Sequence, residues 1–347
     1  MYQPYEQDPP KTWCESTREW MRGTYGPSAK WRPLYLDIHQ ETSAFVAVIP
    51  KGRAWGRDGA ILTPDNKLLL DLSREWLDSP AQHSVFQQKK LPPLQITAKT
   101  VAVVTHVGSP GFYHWMYDVL SRFDLLERSG TAIDAYVINR LHHPFQHETL
   151  QMLGIPPEKL IESHSQLHLQ AAQLVVPSHP GNTAKWACDY LQCKLLPLAA
   201  KTSGPPPKRI YVTRNQAKWR HVRNEDEVLN LLAPHGFQTV ALEALSLAEQ
   251  IALFANAECI VAPHGAGLTH LTFCRPGTRV IEMFASTYLE PCYSLLSQYR
   301  ELDYHPLIGQ GEPLAGCQQD SNYWHGADHL VVDVDRLAKL LEGGTPF

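Results

Sequence analysis

The sharpest chemical signal in this 347-residue chain is CIVAPHGAGLTHL, residues 259–271. An apolar strand closes at Pro263, a glycine-bearing turn follows, and a helix opens from Leu268. Backbone N–H groups and the positive end of a helix would converge there, where an anion can sit. Gly265-x-Gly267 lacks the third glycine of the dinucleotide fingerprint, and no Gly-Lys-Ser/Thr follows as in a P-loop. His264 before the turn, and Thr269 and His270 after it, point to phosphate. The alternative is a tight strand-to-helix turn whose glycines supply backbone freedom only. A second cluster, RIYVTRNQAKWRHVRNEDEV at 209–228, sets Arg214 just past the carboxyl end of a strand, where ligands collect in open α/β sheets. Arg220, His221 and Arg223 then precede a helix for which Asn224 is the expected N-cap. Three arginines within ten residues can bind a diphosphate. Otherwise they are solvated loop charges, with Glu225, Asp226 and Glu227 as the acids that favour a helix N-terminus.

Two further clusters carry carboxylates. In Tyr113-His114-Trp115-Met116-Tyr117-Asp118, His114 and Asp118 are four apart and share one helix face. Such a pair can orient a sugar and take a proton from it, as a general base in a cleft does; the plain alternative is a hydrogen-bonded pair. A metal has little support here, because no third or fourth ligand lies at a characteristic spacing. Asp333-Val334-Asp335 reads as Asp-x-Asp, a Mg²⁺ or Mn²⁺ motif. It also reads as strand end and helix start, with Asp333 facing outward and Asp335 the N-cap, and that structural reading is preferred.

The elements that must position these groups alternate along the chain. Residues 1–60 are rich in Pro, Trp, Arg and Gly and read as irregular, with short strands such as Ser43–Ile49. From Val101 a grammar begins: VAVVTH as a buried strand, GSPGFYHW as a turn, and a helix over Trp115–Leu126 with Met116, Val119, Leu120, Phe123 and Leu126 on its apolar face. It continues with strands at Ala135–Asn139, Leu160–Glu162 and Leu174–Val176 and helices at Phe145–Leu153 and Thr183–Leu195. KTSGPPPK at 201–208 is the expected linker, since three consecutive prolines suit neither a helix interior nor a central strand. The alternation then restarts through Arg209–Thr213, Cys259–Ala262 and Arg279–Met283, and ends in a final strand and helix within 311–347. Strands alternating with helices imply parallel sheets covered on both faces. Two domains are expected, 1–200 and 209–310, with 311–347 as a closing segment.

Composition removes several function classes. With 31 Lys plus Arg against 35 Asp plus Glu, the net charge of −4 gives no reason to expect a nucleic-acid groove. Hydrophobic residues at 44% argue against disorder. The seven cysteines include no C-x-x-C pair and suit free thiols in a reducing compartment. No basic-then-apolar leader opens the chain and no run reaches the length of a membrane span, so a cytoplasmic protein is the expectation.

Tyr113-His114-Trp115-(x)2-Asp118, FQHETLQMLGI at 145–155, Arg220-(x)3-Asn224-Glu225 and HGAGLTHLTFCRPGTRVIEMF at 264–284 stand in an order that resembles glycosyltransferase family 61. The resemblance covers about residues 100–310, and the family it points to includes bacterial proteins of capsule and exopolysaccharide synthesis. It implies a GT-B fold: two Rossmann-like domains facing a cleft, the first on the acceptor side and the second holding a nucleotide sugar. It also implies inverting transfer, from a UDP-linked donor by analogy, to a hydroxyl of a glycan, at or near the inner face of a membrane and without a metal or other cofactor. By position, Arg214 and Arg220 would bind the diphosphate, and Asn224 and Glu225 would shape that loop. His264, Gly265, Ala266, Gly267 and Thr269 would cradle phosphate, and Glu282, at the end of its strand, would hold ribose hydroxyls. His114 and Asp118 would face the acceptor, with Asp118 as base. His221-Val222-Arg223 departs from the family pattern and leaves open which of its polar residues meets the ligand. The competing expectations are a catalytically idle glycan- or nucleotide-binding protein and a metal-dependent GT-A transferase using Asp333 and Asp335.

Overall fold

The computed structural model describes residues 7–25, 31–36, 43–181, 183–199, 206–314 and 324–343. The chain divides into two compact units between Tyr190 and Leu191, inside the helix Lys185–Leu195. Residues 201–205 of the expected linker lie outside the described residues. No helix among the described residues is long and apolar enough to cross a membrane.

The first unit is built on one mixed sheet. Its strands are β1 (Thr12–Cys14), β2 (Trp31–Leu36), β3 (Ser43–Pro50), β4 (Arg53–Trp55), β5 (Ala60–Leu62), β6 (Lys67–Leu69), β7 (Gln95–Val103), β8 (Ala135–Asn139), β9 (Leu160–Ser163) and β10 (His168–Pro177). β10, β7, β8 and β9, adjacent in that order, form a parallel set, β1 pairs with β6 in parallel at the far edge, and β3 and β4 pair with β10 antiparallel. Two expectations are corrected here. The sheet is not parallel throughout, and the described parts of residues 1–60 are more regular than expected: besides the anticipated strand at Ser43–Pro50 they hold β1, β2 and β4 and the helix Thr17–Tyr25. Their pattern was hidden because β4 and β5 are three residues each, too short for a period to register. The core gathers Ile49, Ile61, Leu69, Val101, Val103, Val137, Leu174 and Val176.

The expected helix at Trp115–Leu126 is also corrected. The chain turns through Phe112–His114, widens into a π-helix over Trp115–Leu120, and becomes α-helical at Arg122–Ser129. Ser121 N–H reaches back to Met116 C=O at 3.1 Å, the i to i−5 bond of a π turn, an insertion frequent at functional sites. All six residues Trp115–Leu120 are buried, Asp118 among them.

The second unit is an open sheet of β11 (Arg209–Val212), β12 (Gln238–Val240), β13 (Cys259–Pro263), β14 (Arg279–Ala285), β15 (Asp303–Glu312) and β16 (His329–Val331), in the order β12-β11-β13-β14-β15-β16. Every pairing is parallel except β15 with β16. The runs CIVAP and RVIEMFA are buried almost throughout, as strands covered on both faces must be. The closing helix Val334–Leu341 buries Leu337 and Leu340 in the same core as Tyr211, Val261 and Ile281. Its cap is Asp333, which accepts from Arg336 N–H at 3.0 Å; the expectation of Asp335 as cap is corrected by two residues because β16 already ends at Val331.

Candidate functional site

In the first unit the polar groups lie at the carboxyl edge of the parallel strands. His106 follows β7, Asn139 ends β8, Ser163 ends β9 and His179 follows β10. The turn between β4 and β5 is fastened onto this edge: Thr105 Oγ1 donates to Asp58 C=O at 2.8 Å, and Asn139 and Ser163 both donate to Arg57 C=O. Gly59 in that turn has φ +66° and a Cβ there would strike Thr105, so both conformation and space require glycine. Beneath the edge, Arg122 is fully buried and donates to the carbonyls of Val103, Thr105 and Pro177, tying β7 to β10. Burial lowers its pKa to about 9, an effect that the Asp118 charge opposes.

On this base sits the pair the sequence singled out. His114 Nδ1 donates to Asp118 Oδ2 at 2.7 Å. Asp118 lies below the surface while the His114 side chain is 37% exposed, so the imidazole covers the carboxylate. His106 stacks on His114 with ring centroids 5.2 Å apart. Its Nδ1 accepts from Gly108 N–H at 3.1 Å, and burial lowers its pKa to about 4, so it is a neutral imidazole at pH 7. His106 Nδ1 stands 3.9 Å from Asp118 Oδ2, beyond a hydrogen bond. His106, His114 and Asp118 are also the residues that could hold a metal, their ligand atoms all lying within 4.8 Å of one another. The 2.7 Å contact between His114 and Asp118 has the length of a charge-assisted hydrogen bond.

In the second unit, β12-β11-β13-β14-β15 is the 2-1-3-4-5 order whose ligand crevice opens where the first and third strands send their loops apart. Those two loops carry Arg214, after β11, and His264–Gly267, after β13. They touch: a Cβ on Gly265 would lie 2.9 Å from Arg214 Cζ, so the guanidinium lies against the bare Cα of Gly265. Arg214 donates to Trp219 C=O at 3.1 Å and Arg220 to Gly326 C=O at 2.8 Å. The Nε of each is buried without a partner, and neither forms an ion pair among the described residues. Burial, then the neighbouring Arg220 charge, lowers the Arg214 pKa to about 10. Two guanidiniums that repel each other in a partly buried place are an arrangement that a bound anion would relieve. Arg220 also holds φ +60°, a strained backbone for a non-glycine residue.

His264 donates from Nδ1 to Glu282 Oε1 at 2.6 Å, and Tyr304 OH donates to Glu282 Oε2 at 2.6 Å. The imidazole is packed among Phe284, Tyr288 and Tyr293. Glu282 is fully buried in the middle of β14, not at its end as expected, and both its oxygens are engaged inside the protein. The helix after the turn is 3-10 from Ala266 to Phe273, not an α-helix from Leu268, and Thr269 is buried within it. Asn224 occupies the N-cap position, but its side chain does not cap; it exchanges two 2.9 Å hydrogen bonds with the backbone of Val332. Glu225 Oε1 accepts from Tyr211 OH and Thr213 Oγ1. These two residues therefore fasten the arginine loop to β16 and β11. His221 is turned inward onto Ala217 C=O, and Arg223 pairs with Glu312 at 3.0 Å. The exposed Asp333 caps its helix, and Asp335 beside it is exposed.

Sequence reasoning missed His106, Arg122, His179, Tyr288, Tyr293 and Tyr304. The position of His106 just past a buried strand was a usable signal; the tyrosines belong to distant segments and had none.

The geometry so far defines an α/β protein with polar clusters at the carboxyl edges of its parallel strands, one of them carrying two arginines without a carboxylate partner among the described residues. Residues 112–281, just under half of the chain, match the glycosyltransferase 61 family. It is 34% identical over 150 residues, 40% of its length, to the EGF domain-specific O-linked N-acetylglucosamine transferase of Drosophila melanogaster. Over 63 residues, 18% of its length, it is 36% identical to a beta-1,2-xylosyltransferase of Oryza sativa subsp. japonica. The aligned parts span 28% of the fly protein and 12% of the rice protein.

Proposed function

We propose that the protein is an inverting glycosyltransferase moving a sugar from a nucleotide-sugar donor, UDP-linked in the first instance, to a hydroxyl of a glycan acceptor. The observation that carries the reading is the pair of partly buried guanidiniums, Arg214 and Arg220, without a carboxylate partner among the described residues, at the switch point of a doubly wound sheet. The match of residues 112–281 to the glycosyltransferase 61 family and the transferase names of the plant and animal relatives support it. A capsule or exopolysaccharide acceptor rests on the sequence resemblance, since these relatives are plant and animal proteins.

In the reaction the acceptor oxygen attacks the anomeric carbon as its bond to the diphosphate breaks, and the electron pair leaves with the phosphate oxygen. Arg214, Arg220 and the N–H groups opening the Ala266–Phe273 helix stabilise that charge, a role a metal would otherwise take. Within the first unit the group suited to take an acceptor proton is the exposed His114 rather than Asp118, which lies beneath it and orients the ring through Nδ1. Glu282 does the same for His264, in place of the ribose contact expected from sequence. The test is Arg220→Ala, which should abolish UDP binding and transfer with the melting temperature kept; transfer at the wild-type rate would remove the donor-site assignment. Transfer that collapses in EDTA would favour a metal at His106, His114 and Asp118, or at Asp333 and Asp335, over the arginines.

A further inference from the structure

The first unit holds a cavity of about 310 Å³ that none of the groups above occupies. Trp55, Arg57, Asp58, Arg74 and Glu75 line it. It adjoins the His114 pair: Asp58 is held to Thr105, next to His106, and the exposed Trp76 that follows Glu75 has its ring 5.9 Å from that of His114.

Three features of its wall call for a ligand. The Trp55 side chain is only 7% exposed, and its indole N–H is buried with no hydrogen-bond partner, an arrangement that costs free energy unless something accepts from it. Asp58 is half-buried, and its carboxylate accepts no hydrogen bond among the described residues. Burial first, then the nearby Glu75 charge, raises its pKa. Arg57 and Arg74 are exposed and form no ion pair among the described residues, so their N–H forks face solvent and are free to meet a ligand. Carboxylate, guanidinium and indole N–H groups together with an exposed tryptophan face suit a sugar, whose hydroxyls both donate and accept and whose C–H face stacks on an aromatic ring. The charges balance, two arginines against two carboxylates, and His83 in the same wall is kept neutral by burial. A charged sugar would upset that balance.

From this juxtaposition we infer that the Trp55, Asp58 and Arg74 cavity, with Trp76 next in the chain to its lining residue Glu75, is the subsite for an uncharged sugar residue of the acceptor. The inference rests on the transferase reading for the word acceptor, and its size, at the lower end of small-molecule pockets, suits a short glycan unit.

The test uses the full chain and no nucleotide sugar. Methyl glycosides of xylose, glucose, galactose and N-acetylglucosamine, with methyl glucuronide as the charged probe, are titrated by calorimetry and by saturation-transfer NMR. At least one neutral glycoside should bind, and Trp76→Ala and Asp58→Asn should each weaken it about tenfold or more. Trp76 is 70% exposed, so its removal leaves the fold intact even should Asp58→Asn not. The proposal falls if no neutral glycoside binds, if Trp76→Ala leaves the affinity unchanged, or if methyl glucuronide binds more tightly than methyl glucoside. Glycoside binding in a protein that fails to transfer would keep the subsite and remove the transferase reading; donor binding and transfer without glycoside binding would do the reverse.

Discussion

Gly265→Ala separates donor binding from folding. Gly265 has φ 170°, extended backbone that alanine adopts freely, so the substitution introduces no backbone strain. The three atoms nearest the new Cβ all belong to the guanidinium of Arg214, with Cζ 2.9 Å away and the terminal nitrogen nearer still. That group is the end of a flexible side chain and can swing away, which should keep stability within about 0.5 kcal/mol of wild type. The displaced guanidinium no longer faces the diphosphate. Losing one charge-assisted hydrogen bond costs about 1.5–3 kcal/mol, which corresponds to UDP or pyrophosphate binding weaker by roughly 10- to 150-fold. Calorimetric titration gives the affinity and urea denaturation the stability. A double-mutant cycle sharpens the inference, because both changes act on one interaction: in an Arg214→Ala background, Gly265→Ala should cost almost nothing more. Unchanged UDP affinity in the single variant, or additive losses in the cycle, would refute the idea that Gly265 is there to seat Arg214.

His114→Ala should lower transfer by about 10²- to 10⁴-fold, the usual worth of a general base, with donor affinity unchanged, and Asp118→Asn should follow it; a wild-type rate in either would dissolve the pair as catalytic machinery. Tyr304→Phe removes the donor to a fully buried carboxylate oxygen and should destabilise the protein by about 1–3 kcal/mol, read as a lower urea midpoint; an unmoved midpoint contradicts the geometry. His106 and His270 are buried and each held at a pKa of about 4, below the unfolded value of 6.5. Between those values the unfolded chain binds more protons, so stability is whole above pH 6.5 and falls as pH drops toward 4, by up to about 3 kcal/mol per residue. Replacing His270 by Leu should lower the slope of stability against pH by about one proton across that window, and an identical slope would show that His270 does not carry it.

The second unit was legible because its chemistry follows its strands. Arg214 and His264 each stand directly after a continuous apolar run, and in an open parallel sheet the residue after the strand reaches the ligand edge. The first unit was less so. The strands between residues 12 and 69 alternate direction around β10 and are mostly too short to show a period. The cavity beside His114 is assembled from a hairpin turn near residue 58, a loop near 74 and a short helix near 84, segments that nothing in their sequence links.

The roles of the acidic residues divide the same way. Types and spacing alone named His114 with Asp118, the two arginines and the His264 turn, since a four-residue interval or a position after a strand is local information. Which carboxylate faces outward is a matter of packing. Asp118 and Glu282 were each nominated to touch substrate, and the fold buries both beneath a histidine that they orient. A charged group is buried only where partners meet it, and those partners, Tyr304 for Glu282 and the imidazole for Asp118, together with the exposure left to His114, were decided by the tertiary structure.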